Sequence, residues 1–310
     1  MHSLKIISLL PSATEIIYLL GLTEYQVGRS HECDYPVEVD ALSVCTEPQF
    51  NPEGTSADIH DRVTTLLQSA LGVYRVKTDT LQKLQPTHIL TQAKCEVCAV
   101  TLPEVEAAVQ SLTGLSPQVL SLQPTVLADV WEDIHRVAQA LLQDAGKTVA
   151  LQAIAPLKTR VETCRTLTQD ILHKPTVLCI EWPDPLMVAG NWMPELVMLG
   201  GGIPMLSSIG KNSQRITWND LVKADPEVII LMPCGYDMEQ TARESAVLVE
   251  NSHWPLLRAV KTERVYITDG NQYFNRPGPR LVDSIEILAE ILHPDVVIPR
   301  YQNRAWQPLR

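Results

Sequence analysis

Two short segments of the chain concentrate side chains that can bind a metal ion. The segment SHECDYP at residues 30 to 36 contains His31 and Cys33, and the segment CEVC contains Cys95 and Cys98. Two cysteines separated by two residues can direct both thiolates at one ion, and an imidazole with a third thiolate completes the tetrahedral set of zinc or iron. Two other interpretations stay open, a redox dithiol and cysteines that fill the core as small apolar side chains.

A third group of candidate residues lies in the second half of the chain and suits a large, flat ligand. The segment CIEWPDPLMVAGNWMPEL contains two tryptophans, Trp182 and Trp192, and two glutamates, Glu181 and Glu195. Indole rings cover an extended apolar face at a small cost in conformational entropy. Further along, the segment DGNQYFNRPGPR adds Arg276, whose guanidinium can pair with a carboxylate, an amide or a phosphate.

Charge and motif content exclude several classes of function. The formal net charge is −11, whereas a non-specific nucleic-acid binder needs a basic surface that replaces the counterions of phosphate. The phosphate-loop, dinucleotide and serine-hydrolase signatures, G-x-x-x-x-G-K-[ST], G-x-G-x-x-G and G-x-S-x-G, do not occur in the sequence. We therefore predict a protein that is not an enzyme and that does not bind nucleic acid.

The apolar beginning of the chain is interrupted by polar residues. Pro11, Ser12, Thr14 and Glu15 break it into a predicted strand and helix, and Ser12 and Glu15 have the spacing of a capping box. No apolar run is long enough to span a bilayer, and seven cysteines, an odd number, favour free thiols. We expect a cytoplasmic protein that is not inserted in a membrane, or a periplasmic one if a leader has been removed.

The candidate residues must be positioned by alternating strands and helices, a pattern typical of a largely parallel sheet. Strands in the first half are predicted at 5–9, 26–29, 42–45, 72–76, 88–91 and 118–122. Both cysteine-containing segments follow a predicted strand. In open parallel sheets ligands bind at the carboxyl ends of the strands, so we expect both segments at the same edge.

One long helix is predicted in the middle of the chain, over residues 147–172, because apolar residues recur there at three- and four-residue spacings. The strand and helix pattern resumes afterwards, with strands at 176–181, 228–232 and 265–268 and helices near 192–199, 217–223, 237–249 and 279–292. The fold class is therefore α/β, with two lobes joined by one helix. The predicted segments are an N-terminal lobe, a linking helix, a C-terminal lobe and a C-terminal extension, at 1–145, 146–173, 174–296 and 297–310.

Several stretches resemble one known family. They are ISLLPSATEIIYLLGL, VGRSHECDYP, LQKLQPTHILTQ, LADVWEDIHRVAQAL, VAGNWMPELVMLGGGIP, WNDLVKADPEVIIL and NRPGPRLVDSIEIL. The chain resembles the class III solute-binding proteins, which have a helical backbone, and among them the cobalamin-binding proteins of ABC importers. The resemblance implies two Rossmann-like lobes joined by a single long helix, with a ligand held in the cleft between them and no chemistry performed on it.

The family positions also imply which residues bind the ligand. In the first lobe these are Pro11, Ser12, His31, Glu32, Tyr35 and Gln92. In the second lobe they are Glu181, Trp182, Trp192, Glu195, Phe274, Asn275 and Arg276. Family members that serve importers also present one acidic residue per lobe to the permease; Asp58 matches the first such position, and Asp220 lies beside the second, where the sequence has Asn219.

Two hypotheses of function follow from these patterns. The first is a non-catalytic binder of a cobalamin-like corrinoid, another tetrapyrrole or a metal chelate, with an ABC permease as a possible partner. The second is a metal-binding or redox protein that uses His31, Cys33, Cys95 and Cys98 on the same fold, with zinc or iron as the metal. In the first case His31 or a thiolate could also ligate the cobalt of a corrinoid directly.

Overall fold

The computed structural model describes residues 4–68, 73–92, 102–110, 112, 114 and 116–310. The chain divides into two units, each with its own sheet. Unit 1 contains the residues up to 54, 58–124 and 128–155, and unit 2 contains 55–57, 125–127 and 156–310. Within the part of the chain that is described, no helix combines the length and the apolar character needed to cross a membrane.

Unit 1 is built on a five-stranded sheet with the order β3-β2-β1-β6-β7, in which every neighbouring pair is parallel. Its strands are β1 (Ile6–Ser8), β2 (Gln26–Arg29), β3 (Ser43–Val44), β6 (His88–Gln92) and β7 (Gln118–Leu122). A separate antiparallel pair is formed by β4 (Thr46–Pro48) and β5 (Tyr74–Val76). The helices from this half of the chain are α1 (Pro11–Leu19), α2 (Ser56–Gln68), α3 (Thr78–Leu84), α4 (Leu102–Gln110) and α5 (Leu127–Leu142).

The central strands of unit 1 are apolar because both faces of the sheet are covered. Ile6, Ile7 and Ile89 have no exposed surface, which is typical of a parallel sheet between helices. Gly28 on β2 allows a close approach, since a Cβ atom there would lie 2.6 Å from the sulfur of Cys45. The sequence of alternating strands and helices therefore forms the predicted parallel core.

Unit 2 has a larger sheet with the order β11-β9-β8-β12-β13-β14, and β10 pairs with β8. Its strands are β8 (Thr176–Trp182), β9 (Met187–Val188), β10 (Ile203–Pro204), β11 (Gln214–Arg215), β12 (Val228–Leu231), β13 (Val265–Thr268) and β14 (Trp306–Pro308). The helices after the linking helix are α7 (Met193–Leu199), α8 (Trp218–Ala224), α9 (Met238–Glu244), α10 (Ala246–Val249), α11 (Arg258–Lys261) and α12 (Leu281–Leu292). The three long strands β8, β12 and β13 run parallel to one another.

The linking helix α6 (Gly146–Gln169) is continuous over 24 residues, about 36 Å at 1.5 Å per residue. Its buried side chains follow spacings of three, four and seven residues: Ala150, Ile154, Leu157, Cys164 and Thr168. Pro156 lies inside the helix on the exposed side. It removes one backbone hydrogen bond without ending the helix, because the buried stripe packs on both sides of it. The division into units falls between Ala155 and Pro156.

The C-terminal extension packs on unit 2. Strand β14 pairs antiparallel with β13, so that it covers an edge of the sheet. Glu290 on α12 is 2% exposed and accepts hydrogen bonds from the backbone N–H groups of Arg300 and Tyr301 and from the indole of Trp306. Buried carboxylates need such partners, and these donors explain why the segment is ordered.

Local features differ from the sequence-based expectations at three places. The capping box predicted for Ser12 and Glu15 is wrong, because α1 already begins at Pro11, which favours the first helical position, and no side chain caps it. The strand predicted at 72–76 pairs with β4 outside the main sheet. The helix predicted at 237–249 is divided at Ser245 into α9 and α10.

A buried carboxylate on α5 predicts a pH-dependent stability. Asp133 is 4% exposed, and burial raises its pKa from 3.8 to about 6 against the attraction of Arg136, whose Nη1 lies 2.8 Å from Oδ1. The pKa of Asp133 is higher in the folded state than in the unfolded state. The loss of stability caused by burying the ionised carboxylate is therefore absent below about pH 4 and complete above about pH 6. Asp133→Asn should therefore gain up to about 2.5 kcal/mol relative to the unaltered protein between pH 4 and pH 7.

Urea unfolding at the two pH values measures this gain. The matched control is Asp144→Asn, an exposed aspartate in the turn before α6. An identical pH dependence of Asp133→Asn and the unaltered protein would contradict the raised pKa.

Candidate functional site

Residues of unit 1 follow three neighbouring strands at one edge of its sheet. Pro11 comes after β1, His31 after β2, and Gln92 ends β6. Because β2, β1 and β6 are adjacent and parallel, their carboxyl ends lie at the same edge. Pro11, His31 and Gln92 remain partly exposed there, whereas Ser12 is buried. The structure therefore places at one edge of the unit 1 sheet three residues that the family resemblance implies as ligand contacts.

His31 is held by neighbours on both sides of its ring. Its Nδ1 lies 2.8 Å from the hydroxyl of Thr46, and its Nε2 lies 3.1 Å from Oε1 of Glu32. The latter two atoms are close enough for an ion pair when the ring is protonated, although they are not aligned as a hydrogen bond. The ring centroid of Tyr74 is 4.9 Å from that of His31. The imidazole therefore has a fixed orientation at a partly exposed position.

Tyr35, the other aromatic residue predicted in this unit, has a different neighbour. Its ring meets that of Tyr18 edge-on, with the centroids 5.9 Å apart. Tyr18 is 48% exposed, and Tyr35 is half-buried. The pair offers a partly exposed aromatic surface, as the prediction for Tyr35 requires.

Cys33 lies in the core of unit 1 and not at its surface. The side chain has no exposed area, and its sulfur accepts a hydrogen bond of 3.1 Å from the hydroxyl of Thr14. The hydroxyl of Ser8, 2.9 Å from that of Thr14, is the alternative acceptor of the same proton. At Cys33 the structure favours the interpretation of a thiol that fills the core, because the backbone turns this one side chain inward while Glu32 and Asp34 stay partly exposed.

The predicted metal site stays a prediction. Cys95 and Cys98 lie outside the described residues, and so does the rest of their segment. Among the residues that are described, no three histidine, cysteine, aspartate or glutamate side chains are grouped so that they could hold a metal ion.

Three of the described thiols are structural. Burial raises the pKa of Cys45 and of Cys179 to about 12, and that of Cys164 to about 11. A thiol must lose its proton to bind metal or attack a disulfide, so these three are inert at neutral pH. Cys234, which follows β12, is exposed.

Unit 2 presents aromatic side chains at the carboxyl ends of its parallel strands. Trp182 ends β8, and Tyr236 follows β12; their ring centroids are 5.2 Å apart. The indole N–H of Trp182 donates to the carbonyl of Ser56, whose own N–H donates to Glu244. Ser56 belongs to the short segment 55–57 that groups with unit 2. Trp182 is half-buried and keeps part of its face exposed.

Trp192 and Phe274 are joined through the backbone. The indole N–H of Trp192 donates to the carbonyl of Phe274 at 2.6 Å, and the hydroxyl of Ser284 accepts from the N–H of Phe274. Phe274 has no exposed area and a left-handed backbone with φ of 65°. The predicted stacking of a ligand on the Phe274 ring therefore does not fit this structure, whereas half-buried Trp192 keeps an accessible ring.

Glu181 and Glu195 hold neighbouring chain segments. Glu181 accepts hydrogen bonds from the hydroxyl of Ser213 and the N–H of Gly190, and burial raises its pKa. Glu195 accepts from the backbone N–H of Leu127, 2.8 Å away, within the segment 125–127 that groups with unit 2. Both carboxylates already have structural partners, so polar ligand groups would have to compete for them.

Asn275 and Arg276 lie in the segment that follows β13. The side-chain amide of Asn275 donates to the carbonyls of Met232 and Gly270, at 2.9 and 2.8 Å. Arg276 is 6% exposed, and its guanidinium donates to the side chain of Asn271. Asn275 ties this segment to the end of β12, which places both residues at the same edge as Trp182.

The two acidic residues predicted to dock on a permease differ in their environment. Asp58, in the first turn of α2, is exposed. Asp220 forms a capping box with Thr217 at the start of α8, and these hydrogen bonds lower its pKa. Asp220 therefore has a structural role as a capping residue of α8. An asparagine at this position, as at Asn219, would lack the carboxylate that bonds to Thr217.

Two residues of the site were not predicted from the sequence. Tyr236 and Tyr74 contact the predicted residues Trp182 and His31. Tyr236 follows a strand in the same way as Trp182 does, so the rule that selects strand ends could have found it. Tyr74 comes from the separate β4 and β5 pair, and no sequence signal indicates that this pair crosses the edge of the main sheet.

Comparison with known proteins agrees with this architecture. The model of the family described as periplasmic binding protein matches residues 6–272. An uncharacterized ABC transporter substrate-binding lipoprotein of Bacillus subtilis, YvrC, is 25% identical over 300 residues, which cover 94% of this chain and 80% of the relative.

Two solved structures are similar over nearly the whole chain. The periplasmic heme-binding protein RhuT from Roseiflexus sp. RS-1 has a TM-score of 0.69 and 20% identity, covering 95% of this chain and 99% of that one. The periplasmic vitamin B12-binding protein BtuF of Vibrio cholerae has a TM-score of 0.64 and 20% identity, covering 93% and 96%. The predicted fold is confirmed: the chain belongs to the periplasmic binding protein family and has its class III fold, two α/β units joined by one long helix.

Proposed function

We propose that the protein is a non-catalytic binder of a planar metal chelate, a cobalamin-like corrinoid or a related tetrapyrrole. The observation that carries the proposal is the pair of partly exposed indoles at the carboxyl edge of unit 2, Trp182 and Trp192. Large flat rings bury apolar ligand area without losing much side-chain entropy. Tyr236 extends the aromatic surface beside Trp182.

Each unit offers polar groups to a ligand at its own edge. Arg276 provides donors in unit 2, since both N–H groups of the Asn275 amide already bond to Met232 and Gly270, while His31, Glu32 and Gln92 provide polar groups in unit 1. His31 is the candidate ligand for the metal of the chelate: Thr46 fixes its Nδ1, whereas its Nε2 is buried beside Glu32 and would have to be uncovered by a side-chain movement. Relatives named for vitamin B12 and for heme support the ligand class.

The alternative is a site for bare zinc or iron made from His31, Cys33, Cys95 and Cys98. It has less support, because Cys33 is buried and its sulfur is hydrogen-bonded to Thr14. This alternative is kept as an outcome of the experiment below.

An ABC permease is the proposed partner, supported by the name of the Bacillus subtilis relative and by the exposed carboxylate of Asp58. Asp58→Ala should then reduce recovery of the permease with this protein from solubilised membranes, and equal recovery would contradict the contact.

The cytoplasmic location predicted from the sequence stays a prediction, which cell fractionation tests.

Visible absorbance separates the ligand classes. The purified protein is mixed with cyanocobalamin, or with hemin, and passed through a desalting column. We expect cyanocobalamin to stay with the protein in a 1:1 ratio.

Each other result selects a different function. Retention of hemin alone would contradict a corrinoid as the ligand and would support a related tetrapyrrole instead. Retention of neither, together with stoichiometric zinc or iron by elemental analysis, would favour the alternative site, and a loss of that metal in His31→Ala would locate it.

A further inference from the structure

The C-terminal extension is attached to the segment that carries Asn275 and Arg276. Strand β14 pairs with β13 as far as Thr268, the last residue of β13, which lies opposite Trp306. Directly beyond, the N–H of Asp269 donates to the carbonyl of Ala305 at 2.9 Å. The extension therefore fixes the point at which the segment 269–276 leaves the sheet.

A second contact lies further along the same segment. The rings of Tyr273 and Tyr301 meet edge-on, with centroids 6.1 Å apart and an interplanar angle of 79°. The guanidinium of Arg280 lies 5.5 Å from the centroid of the Tyr273 ring. Tyr273 is thus packed between the extension and the start of α12.

The extension is itself firmly anchored. Besides the donors that Glu290 accepts, the hydroxyl of Tyr301 donates to Glu286 at 2.8 Å, and Arg160 on α6 bonds to Glu286 and Asp283. Because the extension is fixed by these buried and half-buried charged groups, it can restrict the movement of the segment 269–276 that packs on it.

The segment 269–276 needs support because its backbone is strained. Phe274 has φ of 65°, a region that is unfavourable for a bulky side chain. Such conformations persist only where the surroundings over-determine them. Trp192 and Ser284 fix the peptide groups of Phe274, and the extension fixes the residues that precede it.

We propose that residues 300–308 are a brace that holds the segment 269–276 in its ligand-binding conformation, with Tyr301 and Trp306 as positioning residues. The inference rests on the proposed function, since it concerns the same site. Tyr273 and the brace both lie after residue 272, where the match to the family model ends.

Hydrogen exchange tests the brace without any ligand. In Tyr301→Leu, which keeps an apolar side chain but loses the ring contact, amides of 269–276 should exchange about fivefold faster, the range expected from an edge-to-face pair. Amides of β12 should not change. Tyr301→Phe is the matched control: it keeps the ring and loses only the hydroxyl bond to Glu286, one of several anchors of the extension, so exchange of 269–276 should stay close to that of the unaltered protein.

Trp306→Ala is measured beside it, because it removes a donor from Glu290 and loosens the extension at its other end. Faster exchange of 300–308 in either variant without faster exchange of 269–276 would overturn the brace. Unchanged exchange of both segments in both variants would also overturn the brace, since the contacts of Tyr301 and Trp306 would then restrict neither segment.

A titration with cyanocobalamin provides the functional measurement. We expect Tyr301→Leu to weaken binding about fivefold and Tyr301→Phe to leave it nearly unchanged. Faster exchange with unaltered affinity would overturn the positioning role. If the unaltered protein does not bind cyanocobalamin, the proposed function fails, whereas the exchange measurement still decides whether the extension braces the segment.

Discussion

Replacement of Glu290 by alanine is expected to lower the free energy of unfolding by about 4 kcal/mol, because it leaves three donors without their acceptor, among them the buried indole of Trp306. The donors are the N–H groups of Arg300, Tyr301 and Trp306, all within 3.0 Å of a Glu290 oxygen. Urea unfolding followed by tryptophan fluorescence is the appropriate measurement, since five of the six tryptophans lie in unit 2.

Two variants make this result specific. Glu290→Gln keeps the shape and one acceptor oxygen and should lose less than half as much stability. Glu162→Ala removes an exposed carboxylate that pairs with Arg165 on α6, and its stability should stay close to that of the unaltered protein, because solvent screens the pair. If Glu290→Ala were as stable as Glu162→Ala, the extension would not be anchored by the buried carboxylate.

Trp192→Ala is expected to weaken cyanocobalamin binding about 100-fold, close to 3 kcal/mol, the range of an aromatic residue that dominates an interface. The substitution removes the exposed indole face and also the donor to the carbonyl of Phe274. Trp192→Phe separates the two effects, because it keeps a ring and loses only the donor. It should retain most of the affinity if stacking dominates.

Trp218→Ala is the matched control for Trp192→Ala. Trp218 belongs to the same unit and packs against His253 and Trp254, so its loss should reduce stability and leave affinity within about threefold. Equal losses of affinity in Trp192→Ala and Trp218→Ala would mean that binding responds to general destabilisation and that Trp192 does not contact the ligand.

The sequence predicts the main elements of the fold because their patterns are local. The buried stripe from Ala150 to Thr168 has helical spacing, and β12 is an uninterrupted apolar run, so α6 and the parallel strands follow from periodicity. The short strands β9, β10 and β11 are two residues long and carry no such pattern. They are formed by tertiary pairing with neighbouring strands.

The candidate site is predictable only as far as strand ends reveal it. His31 follows β2 and Trp182 ends β8, so a rule that selects the carboxyl ends of strands finds both. The rule cannot tell which side chain turns inward. Cys33 enters the core towards Thr14, and Phe274 is buried because a left-handed backbone directs its ring away from solvent. Both outcomes depend on contacts between residues distant in the sequence.

The extension illustrates the same limit. Three arginines and no acidic residue in 300–310 indicate nothing about where this segment packs. Its position is determined by Glu290, which reads on the sequence as one more charged residue of a helix. Only the fold reveals that this carboxylate is 2% exposed and faces the N–H groups of the extension.

Isothermal titration calorimetry of the unaltered protein with cyanocobalamin tests the proposed ligand. We expect saturable binding of one cyanocobalamin per chain with a dissociation constant of about 1 µM or lower, in the range of −8 kcal/mol. Absence of heat and of saturation with cyanocobalamin at about 100 µM, well above that constant, would contradict the corrinoid and leave only the fold and family in place.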